Sequence, residues 1–119
     1  MSDEISRATL AVWGGEEEDW EGGATQVPIV FSAAYGYPDV ESWLDVALGR
    51  APGHIYSRNT NPTVHAFEEK VRLLESAAAA TSFATGMAAI SNTLYTLLVP
   101  GDRIVSVKDT YGGTNKILR

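Results

Sequence analysis

The amino-acid sequence predicts an α/β fold in which helices flank a parallel β-sheet. Within residues 62–107, two helical patterns alternate with two short apolar runs that are typical of buried strands, and short links join them. The composition fits a folded domain, because 45% of the 119 residues are apolar and 20% are charged. Strands separated by helices are usually parallel and share one sheet.

Residues 1–28 show no clear periodicity. They contain two Gly-Gly pairs and an acidic run at residues 16–19, which we interpret as a solvated loop. Trp13 and Trp20 are too apolar for a free tail, so we expect an arm that packs on another surface, such as another subunit. We predict an N-terminal arm and intersubunit segment over residues 1–60, and the beginning of an α/β domain over residues 61–119.

Two helices are predicted from their caps. Asp39 is placed to cap a short helix within residues 39–48. Asn61 followed by Pro62 predicts a second helix over residues 62–76, because proline fits the first helical position. The apolar face of this second helix consists of Val64, Phe67, Val71 and Leu74.

The rest of the chain alternates between strand and helix signals. Residues 78–83 form a small apolar run consistent with a buried strand, and a third helical pattern begins at Gly86. Residues 104–107 are a β-branched strand candidate. Residues 111–114 are predicted to be a loop, and residues 115–119 to begin another helix.

Composition also excludes several classes of function. A net charge of −6 and a pI near 4.7 argue against nucleic acid or an anionic membrane as a partner. With no cysteine, the chain has no disulfide, thiolate nucleophile or Cys-ligated zinc, and His54 and His65 lack metal-ligand spacing, so no metal site is predicted. The acidic start and the short apolar stretches argue against a signal peptide and a membrane span, which favours a cytoplasmic protein.

Three places are candidates for ligand binding. Gly86 begins a helix, where a small residue and free N–H groups favour phosphate, although a tight turn alone also explains a glycine there. Tyr56 and Arg58 precede a helix and can clamp a phosphate, but such pairs are commonly surface residues. Tyr111 follows a predicted strand at the edge where ligands bind, and its ring can stack on a cofactor or serve in packing.

Four motifs together resemble those of the Cys/Met-metabolism pyridoxal-phosphate (PLP) enzymes, the family of cystathionine γ-synthase and cystathionine γ-lyase. Residues 56–63 (Tyr-Ser-Arg-Asn-Thr-Asn-Pro-Thr) resemble the family's Tyr-Ser-Arg-x-x-Asn-Pro-Thr motif. Residues 84–90 resemble its Ser/Thr-Gly-Met-x-Ala-Ile helix start. Residues 100–102 (Pro-Gly-Asp) and 109–114 (Asp-Thr-Tyr-Gly-Gly-Thr) match in the same order, and residues 23–35 match more weakly.

The resemblance implies an aspartate-aminotransferase-like fold (fold type I), pyridoxal 5'-phosphate as cofactor, and homotetramers built from dimers with shared active sites. It implies that Tyr56 and Arg58 bind the PLP phosphate in the neighbouring subunit. The N–H groups of Gly86 and Met87 would hold the phosphate of the chain's own cofactor. Tyr111 would be catalytic, stacking on the cofactor ring and assisting proton transfer or departure of the leaving group.

The resemblance also implies functional residues that have no counterpart here. The family's Schiff-base lysine, the aspartate at the pyridine nitrogen and the arginine that binds the substrate carboxylate cannot be matched. Lys70 is predicted on a solvated helix face, and Lys108 and Lys116 flank the Tyr111 loop. We therefore expect this chain alone not to catalyse, and to be a truncated sequence or a fragment of a complete enzyme.

When full length, the protein is expected to perform γ-replacement or γ-elimination in transsulfuration on an amino-acid substrate: O-acylhomoserine with cysteine, or cystathionine. O-acetylhomoserine sulfhydrylase and methionine γ-lyase are alternatives, the latter disfavoured because many methionine γ-lyases have Cys at the position of Gly113. An alternative of another class is a catalytically inactive assembly module without the lysine. A nucleotide-binding domain is disfavoured because the Gly-x-Gly-x-x-Gly motif is absent. The isolated chain is expected to aggregate or to depend on partner contacts.

Overall fold

The structure is a computed structural model that describes residues 5–16, 20 and 23–119. The helices of this part are α1 (Arg7–Trp13), α2 (Val40–Ala47), α3 (Pro62–Leu74), α4 (Gly86–Leu97) and α5 (Gly112–Ile117). The chain divides into two compact units, Met1–Thr81 and Ser82–Arg119. None of the helices seen in these residues is long and apolar enough to cross a membrane.

The predicted helix caps are confirmed. Asp39 accepts a hydrogen bond from the N–H of Ser42 at 2.7 Å and begins α2. Asn61 caps α3, which begins at Pro62 as predicted and ends two residues before the predicted end at residue 76. Thr85, which was not predicted as a cap, caps α4, and α4 begins at Gly86 as predicted. Each cap satisfies N–H groups that have no acceptor within the helix.

The N-terminal segment contains a helix, α1, that the sequence did not predict. Ser6 caps it by accepting from the N–H of Thr9 at 3.1 Å. Its end is closed by the N–H of Gly14, which donates to the carbonyl of Leu10 at 2.9 Å. Seven residues are too few to show a clear helical period, and a helix this short depends on tertiary contacts for its stability.

Helix α1 packs on α3 through polar contacts and one close backbone approach. Arg7 donates to the carbonyl of Leu74 at 2.7 Å, at the end of α3 where carbonyls lack partners within the helix. Lys70 of α3 donates to a carbonyl of α1 at 3.1 Å. Gly15 has a φ of +75° and lies against α3, so that an added Cβ would be 2.5 Å from the carbonyl oxygen of Ala66. Only glycine fits this position.

This contact corrects two predictions. Glu16 is not solvated, because it forms an ion pair with Lys70, and the two side chains are only 17% and 27% exposed. Lys70 therefore does not lie on a solvated helix face. Helical periodicity describes one helix by itself and cannot show that another segment folds back onto its polar side. The rest of the acidic run, residues 17–19, lies outside the described residues.

The apolar face predicted for α3 is largely exposed. Phe67 is 59% exposed and Val64 is 43% exposed, whereas Ala66, on the side that α1 covers, is 6% exposed. The sequence pattern identified a real apolar stripe, but in the first unit the covering helix lies on a different side of α3.

A short antiparallel pairing joins the segments before α2 and before α3. The N–H of Ser57 donates to the carbonyl of Ala33 at 2.8 Å, and the N–H of Tyr35 donates to the carbonyl of Ile55 at 3.1 Å. These bonds place Tyr56 opposite Ala34 in an isolated bridge. Helix α2 lies in the part of the chain that connects the two paired segments.

In the second unit, α4 and α5 contact each other. Helix α5 begins at Gly112, which corrects the prediction of a loop over residues 111–114 followed by a helix from residue 115. The N–H of Asn115 donates to the carbonyl of Tyr111 at 2.9 Å and closes the first turn. Two adjacent glycines have low intrinsic helix propensity, and so the sequence favoured a loop.

The predicted strands are unpaired within the part of the chain that the structure describes. Residues 78–83 and 104–107 have no strand partner there, and Val105 is 99% exposed. A parallel strand is stable only when neighbouring strands satisfy its backbone groups. The parallel sheet therefore stays a prediction, as do the predicted domain boundaries at residues 1–60 and 61–119.

Candidate functional site

Tyr56 and Arg58 lie side by side in the first unit. The Cζ atom of Arg58 is 4.7 Å from the centroid of the Tyr56 ring, which is a cation–π arrangement. Tyr56 is 38% exposed, and Arg58 is exposed. No carboxylate among residues 5–16, 20 and 23–119 forms an ion pair with Arg58. Its guanidinium donors are therefore available to an anion from outside this segment.

The backbone around this pair is fixed by its own hydrogen bonds. The carbonyl of Tyr56 accepts from the N–H groups of Asn59 at 2.9 Å and Thr60 at 3.2 Å, which forms a turn. The bridge to Ala34 holds the other side of the same segment. Two exposed side chains thus stand on a backbone with little freedom to move, which suits the binding of a defined group.

Asn61 makes contacts that the sequence analysis did not identify beyond its role as a cap. Its side chain is buried, with the residue only 7% exposed. The amide nitrogen donates to the carbonyl of Val30 at 3.0 Å and to the hydroxyls of Ser57 at 3.0 Å and Tyr35 at 3.2 Å. The amide oxygen accepts from two N–H groups of the first turn of α3, at 2.9 and 3.3 Å. In the sequence, this network is indicated only by a serine, Ser57, four residues before the Asn-Pro pair.

In the second unit, the candidate phosphate position at Gly86 lies at the start of a helix. Gly86 is the first residue of α4, and Thr85 accepts from the N–H of Ala88 at 3.0 Å. The N–H groups of Gly86 and Met87 come before the first acceptor within the helix. A Cβ built on Gly86 would meet no atom within 4 Å, so the side of Gly86 where a side chain would lie is open. The positive end of the helix dipole favours an anion there.

The structure brings Met87 and Tyr111 together across a glycine. A Cβ on Gly113 would lie 2.8 Å from Cε1 of Tyr111 and 2.9 Å from Sδ of Met87. The hydroxyl of Thr114 lies 3.8 Å from the same sulfur atom. Tyr111 itself is 75% exposed, so its ring is accessible to a ligand. Because these residues are distant in sequence, only the fold could show that the Tyr111 ring lies beside the start of α4.

The predicted site residues thus fall into two groups. Tyr56 and Arg58 belong to the first unit, and Gly86, Met87 and Tyr111 belong to the second. The second unit also has a cavity of about 470 Å³. Its lining includes Lys108 and other residues of the 104–110 segment and of α5, but none of the five predicted site residues.

Comparison with known proteins decides which family has this combination of motifs. The family model of the Cys/Met metabolism PLP-dependent enzymes matches residues 8–119. The chain belongs to this family. Pyridoxal phosphate is the cofactor of its members, and the resemblance seen in the four motifs is confirmed over nearly the whole chain.

Individual relatives differ in their named activities. L-methionine γ-lyase from Pseudomonas putida is 38% identical over 107 residues, which are 90% of this chain and 27% of that protein. O-succinylhomoserine sulfhydrylase from Mycobacterium tuberculosis is 37% identical over 113 residues, which are 94% of this chain and 27% of that protein. Similar identities to enzymes of different activity mean that overall identity does not select one activity.

A solved structure supports the fold. The crystal structure of cystathionine γ-lyase from Micromonospora echinospora matches with a TM-score of 0.76 and 33% identity, over 95% of this chain and 27% of that chain. The described residues thus share the fold of the corresponding part of that cystathionine γ-lyase. The chain spans about a quarter of the length of the curated relatives it matches.

Proposed function

We propose that the full protein is a PLP-dependent enzyme that catalyses γ-replacement or γ-elimination on an amino-acid substrate. The observation that supports this most directly is the contact of Met87 with the Tyr111 segment at the open start of α4. A phosphate position and an exposed aromatic ring are then adjacent, as a phosphorylated planar cofactor requires. Two of the similar proteins named above are γ-lyases, and the third is an O-succinylhomoserine sulfhydrylase.

The residues of the second unit fit this cofactor. The N–H groups of Gly86 and Met87 would donate to the phosphate. A Cβ on Gly86 would meet no atom within 4 Å, so there is room for a ligand beside this residue. The exposed ring of Tyr111 would cover the flat ring of the cofactor, and its hydroxyl would move a proton. When bound, pyridoxal phosphate supplies an electron sink for carbanion chemistry.

We propose a second pair of phosphate ligands from the first unit. Tyr56 and Arg58 would bind the phosphate in the active site of a neighbouring subunit, so that the sites of the assembly are shared. This proposal is supported by the donors of Arg58, which have no carboxylate partner in the described residues, and by the stacking on Tyr56 that orients the guanidinium. Within the family, we propose a cytoplasmic enzyme that forms or cleaves cystathionine, on the evidence of the motif at residues 109–114.

Binding of PLP to the cofactor-free full protein tests the phosphate position. Gly86→Asp places a carboxylate at the start of α4, where a negative charge is favourable for the helix but repels a phosphate. We expect the affinity for PLP to fall by roughly tenfold or more, and the affinity for pyridoxal, which lacks the phosphate, to change little. Val40→Asp is the matched control, because it places the same charge at the first position of α2. Equal PLP affinity in both variants would contradict the proposal.

Mixing two variants that bind PLP weakly tests whether the sites are shared, provided that activity is measured at a PLP concentration that fills wild-type sites but few of the sites of either variant. If Arg58 acts in the neighbouring subunit, a dimer of one Arg58→Ala and one Gly86→Asp subunit has one site with both defects and one intact site. Random mixing should then restore roughly a quarter of the wild-type sites. If both residues serve the same subunit, every site retains a defect and mixing restores no activity.

A further inference from the structure

The Asn61 side chain is a buried polar group whose hydrogen-bonding capacity is fully used. It is 7% exposed, and its amide contacts five hydrogen-bonding groups between 2.9 and 3.3 Å away. A helix cap requires only the two contacts made by the oxygen. The three contacts made by the nitrogen therefore serve something other than the start of α3.

The orientation of this amide is determined by its partners. The oxygen faces two backbone N–H groups, and the nitrogen faces the carbonyl of Val30, which can only accept. Rotating the amide by half a turn would place donor against donor and acceptor against acceptor. The residue must therefore be an amide, because neither a carboxylate nor a hydroxyl can satisfy both sides.

The nitrogen side of Asn61 leads directly to the Tyr56–Arg58 segment. Ser57, which lies between Tyr56 and Arg58, accepts from Asn61 and donates through its hydroxyl to the carbonyl of Ser32. The hydroxyls of Ser57 and Tyr35 are 3.2 Å apart. One buried amide thus joins the start of α3, the segment around Val30 and, through the Ser57 hydroxyl, the Tyr56–Arg58 segment.

We propose that Asn61 is a positioning residue that holds Tyr56 and Arg58, through Ser57, in the orientation that binds phosphate. The phosphate-binding role of Tyr56 and Arg58 rests on the proposed function, whereas the hydrogen-bonded connection from Asn61 to Ser57 does not. Ser57 and Arg58 lie in the turn that the carbonyl of Tyr56 closes. Because Asn61 and the carbonyl of Ser32 hold the Ser57 hydroxyl, this turn keeps the conformation in which Tyr56 and Arg58 are exposed.

Asn61→Asp separates the two roles of this side chain. Aspartate caps a helix as well as asparagine does and has nearly the same shape, but it cannot donate to Val30 when ionised. Asp39→Asn is the matched control, because it makes the reverse change at the cap of α2, where the described residues show only bonds from the first turn of that helix. Ser57→Ala is a second variant that removes one acceptor of the network and leaves the cap untouched.

Hydrogen exchange of the full protein measures the link without reference to activity. We expect the N–H groups of Ser57 and Tyr35, which pair with Ala33 and Ile55, to lose roughly tenfold or more of their protection in Asn61→Asp. Amides within α3 should keep theirs, and Asp39→Asn should change neither. Unchanged protection of Ser57 and Tyr35 would overturn the proposal. If Asn61→Asp does not fold, the proposal is tested in Ser57→Ala by the protection of the N–H groups of residues 57 and 35, which should fall in the same way.

Cofactor binding then measures the consequence for phosphate. We expect Asn61→Asp and Arg58→Ala each to weaken PLP by roughly tenfold while pyridoxal binds as before, with kcat retained at saturating PLP for Asn61→Asp. If only Arg58→Ala loses the preference for the phosphorylated form, the positioning role of Asn61 is wrong. If Arg58→Ala also keeps the preference for PLP over pyridoxal, the proposed phosphate-binding function of Tyr56 and Arg58 is wrong. The hydrogen-exchange measurement still tests whether Asn61 holds the Ser57 segment.

Discussion

Gly15 and Gly49 have nearly the same positive φ but different surroundings. Their φ values are +75° and +68°, a region that residues with a side chain rarely adopt. A Cβ on Gly15 would lie 2.5 Å from the carbonyl oxygen of Ala66, whereas a Cβ on Gly49 would meet nothing within 4 Å. Comparing an alanine substitution at each glycine therefore separates the cost of backbone strain from the cost of a steric clash with α3.

We predict that Gly15→Ala destabilises the protein more than Gly49→Ala does. Backbone strain should cost about 1–2 kcal/mol of the free energy of unfolding in each variant. The clash in Gly15→Ala should add roughly another 1–3 kcal/mol, because backbone atoms cannot move aside easily. Denaturant unfolding of the two variants measures the difference. Equal destabilisation would mean that α1 does not approach α3 as closely as the structure shows.

The ion pairs Lys70–Glu16 and Arg50–Asp45 differ in burial. The side chains of the first are 27% and 17% exposed, and those of the second are 64% and 44% exposed. Lys70 also donates to a carbonyl of α1. Its amine therefore contributes to the docking of the N-terminal helix, while Arg50 is a surface residue.

We predict that Lys70→Met lowers the free energy of unfolding by about 1 kcal/mol, because it removes a partly buried charged hydrogen bond. Arg50→Met should change it by less than about 0.5 kcal/mol, as is usual for exposed pairs. Thermal unfolding at low and high salt is the measurement, and the Lys70 effect should be less sensitive to salt. A larger loss in Arg50→Met would contradict the docking role of Lys70.

At the scale of elements, the helices could be predicted because their starts depend on local chemistry. Asp39, Asn61 and Thr85 each satisfy N–H groups two or three residues ahead, so the signal lies within one turn. Helix α1 was not predicted, because it depends on contacts with α3, which is distant in sequence. The strands remain predictions, because pairing depends on neighbours that no local pattern supplies.

The cap of α2 should make part of the stability depend on pH. Hydrogen bonds from the backbone and hydroxyl of Ser42 lower the pKa of Asp39 below its ordinary value of 3.8. The folded protein then binds this proton less readily than the unfolded chain. The stabilisation is complete above the ordinary pKa and is lost as the pH falls through the lowered pKa of the folded state. In Asp39→Asn, the free energy of unfolding should no longer contain this acid-dependent contribution. An unchanged dependence of the free energy of unfolding on acidic pH would contradict the prediction.

At the scale of the whole chain, exposed apolar side chains predict self-association of the 119-residue polypeptide by itself. Phe31 is 92% exposed, Val105 is 99% exposed and Val107 is 73% exposed. Sedimentation of this polypeptide should show association that Val105→Thr together with Val107→Thr reduces, because less apolar area is then available. A monodisperse monomer that unfolds cooperatively would contradict this expectation.

The sequence predicted the parts of the candidate site better than their arrangement. Gly86 and Arg58 could be identified from residue type, position and motif, since phosphate binding uses recurring local chemistry. The contact between Met87 and the Tyr111 segment could not, because it follows from the packing of α5 on α4. The central position of Asn61 could not be predicted either, since its partners come from three separate segments.

The residue that follows Asn61 also affects how the protein ages. Asparagine slowly becomes aspartate when the backbone nitrogen of the next residue attacks the side-chain amide and expels ammonia. Pro62 is that next residue, and its nitrogen has no hydrogen to lose. The ring closure is therefore blocked at the one asparagine whose conversion would replace the donor facing Val30 by an acceptor. The proline that begins α3 thus preserves the Asn61 amide over the lifetime of the molecule.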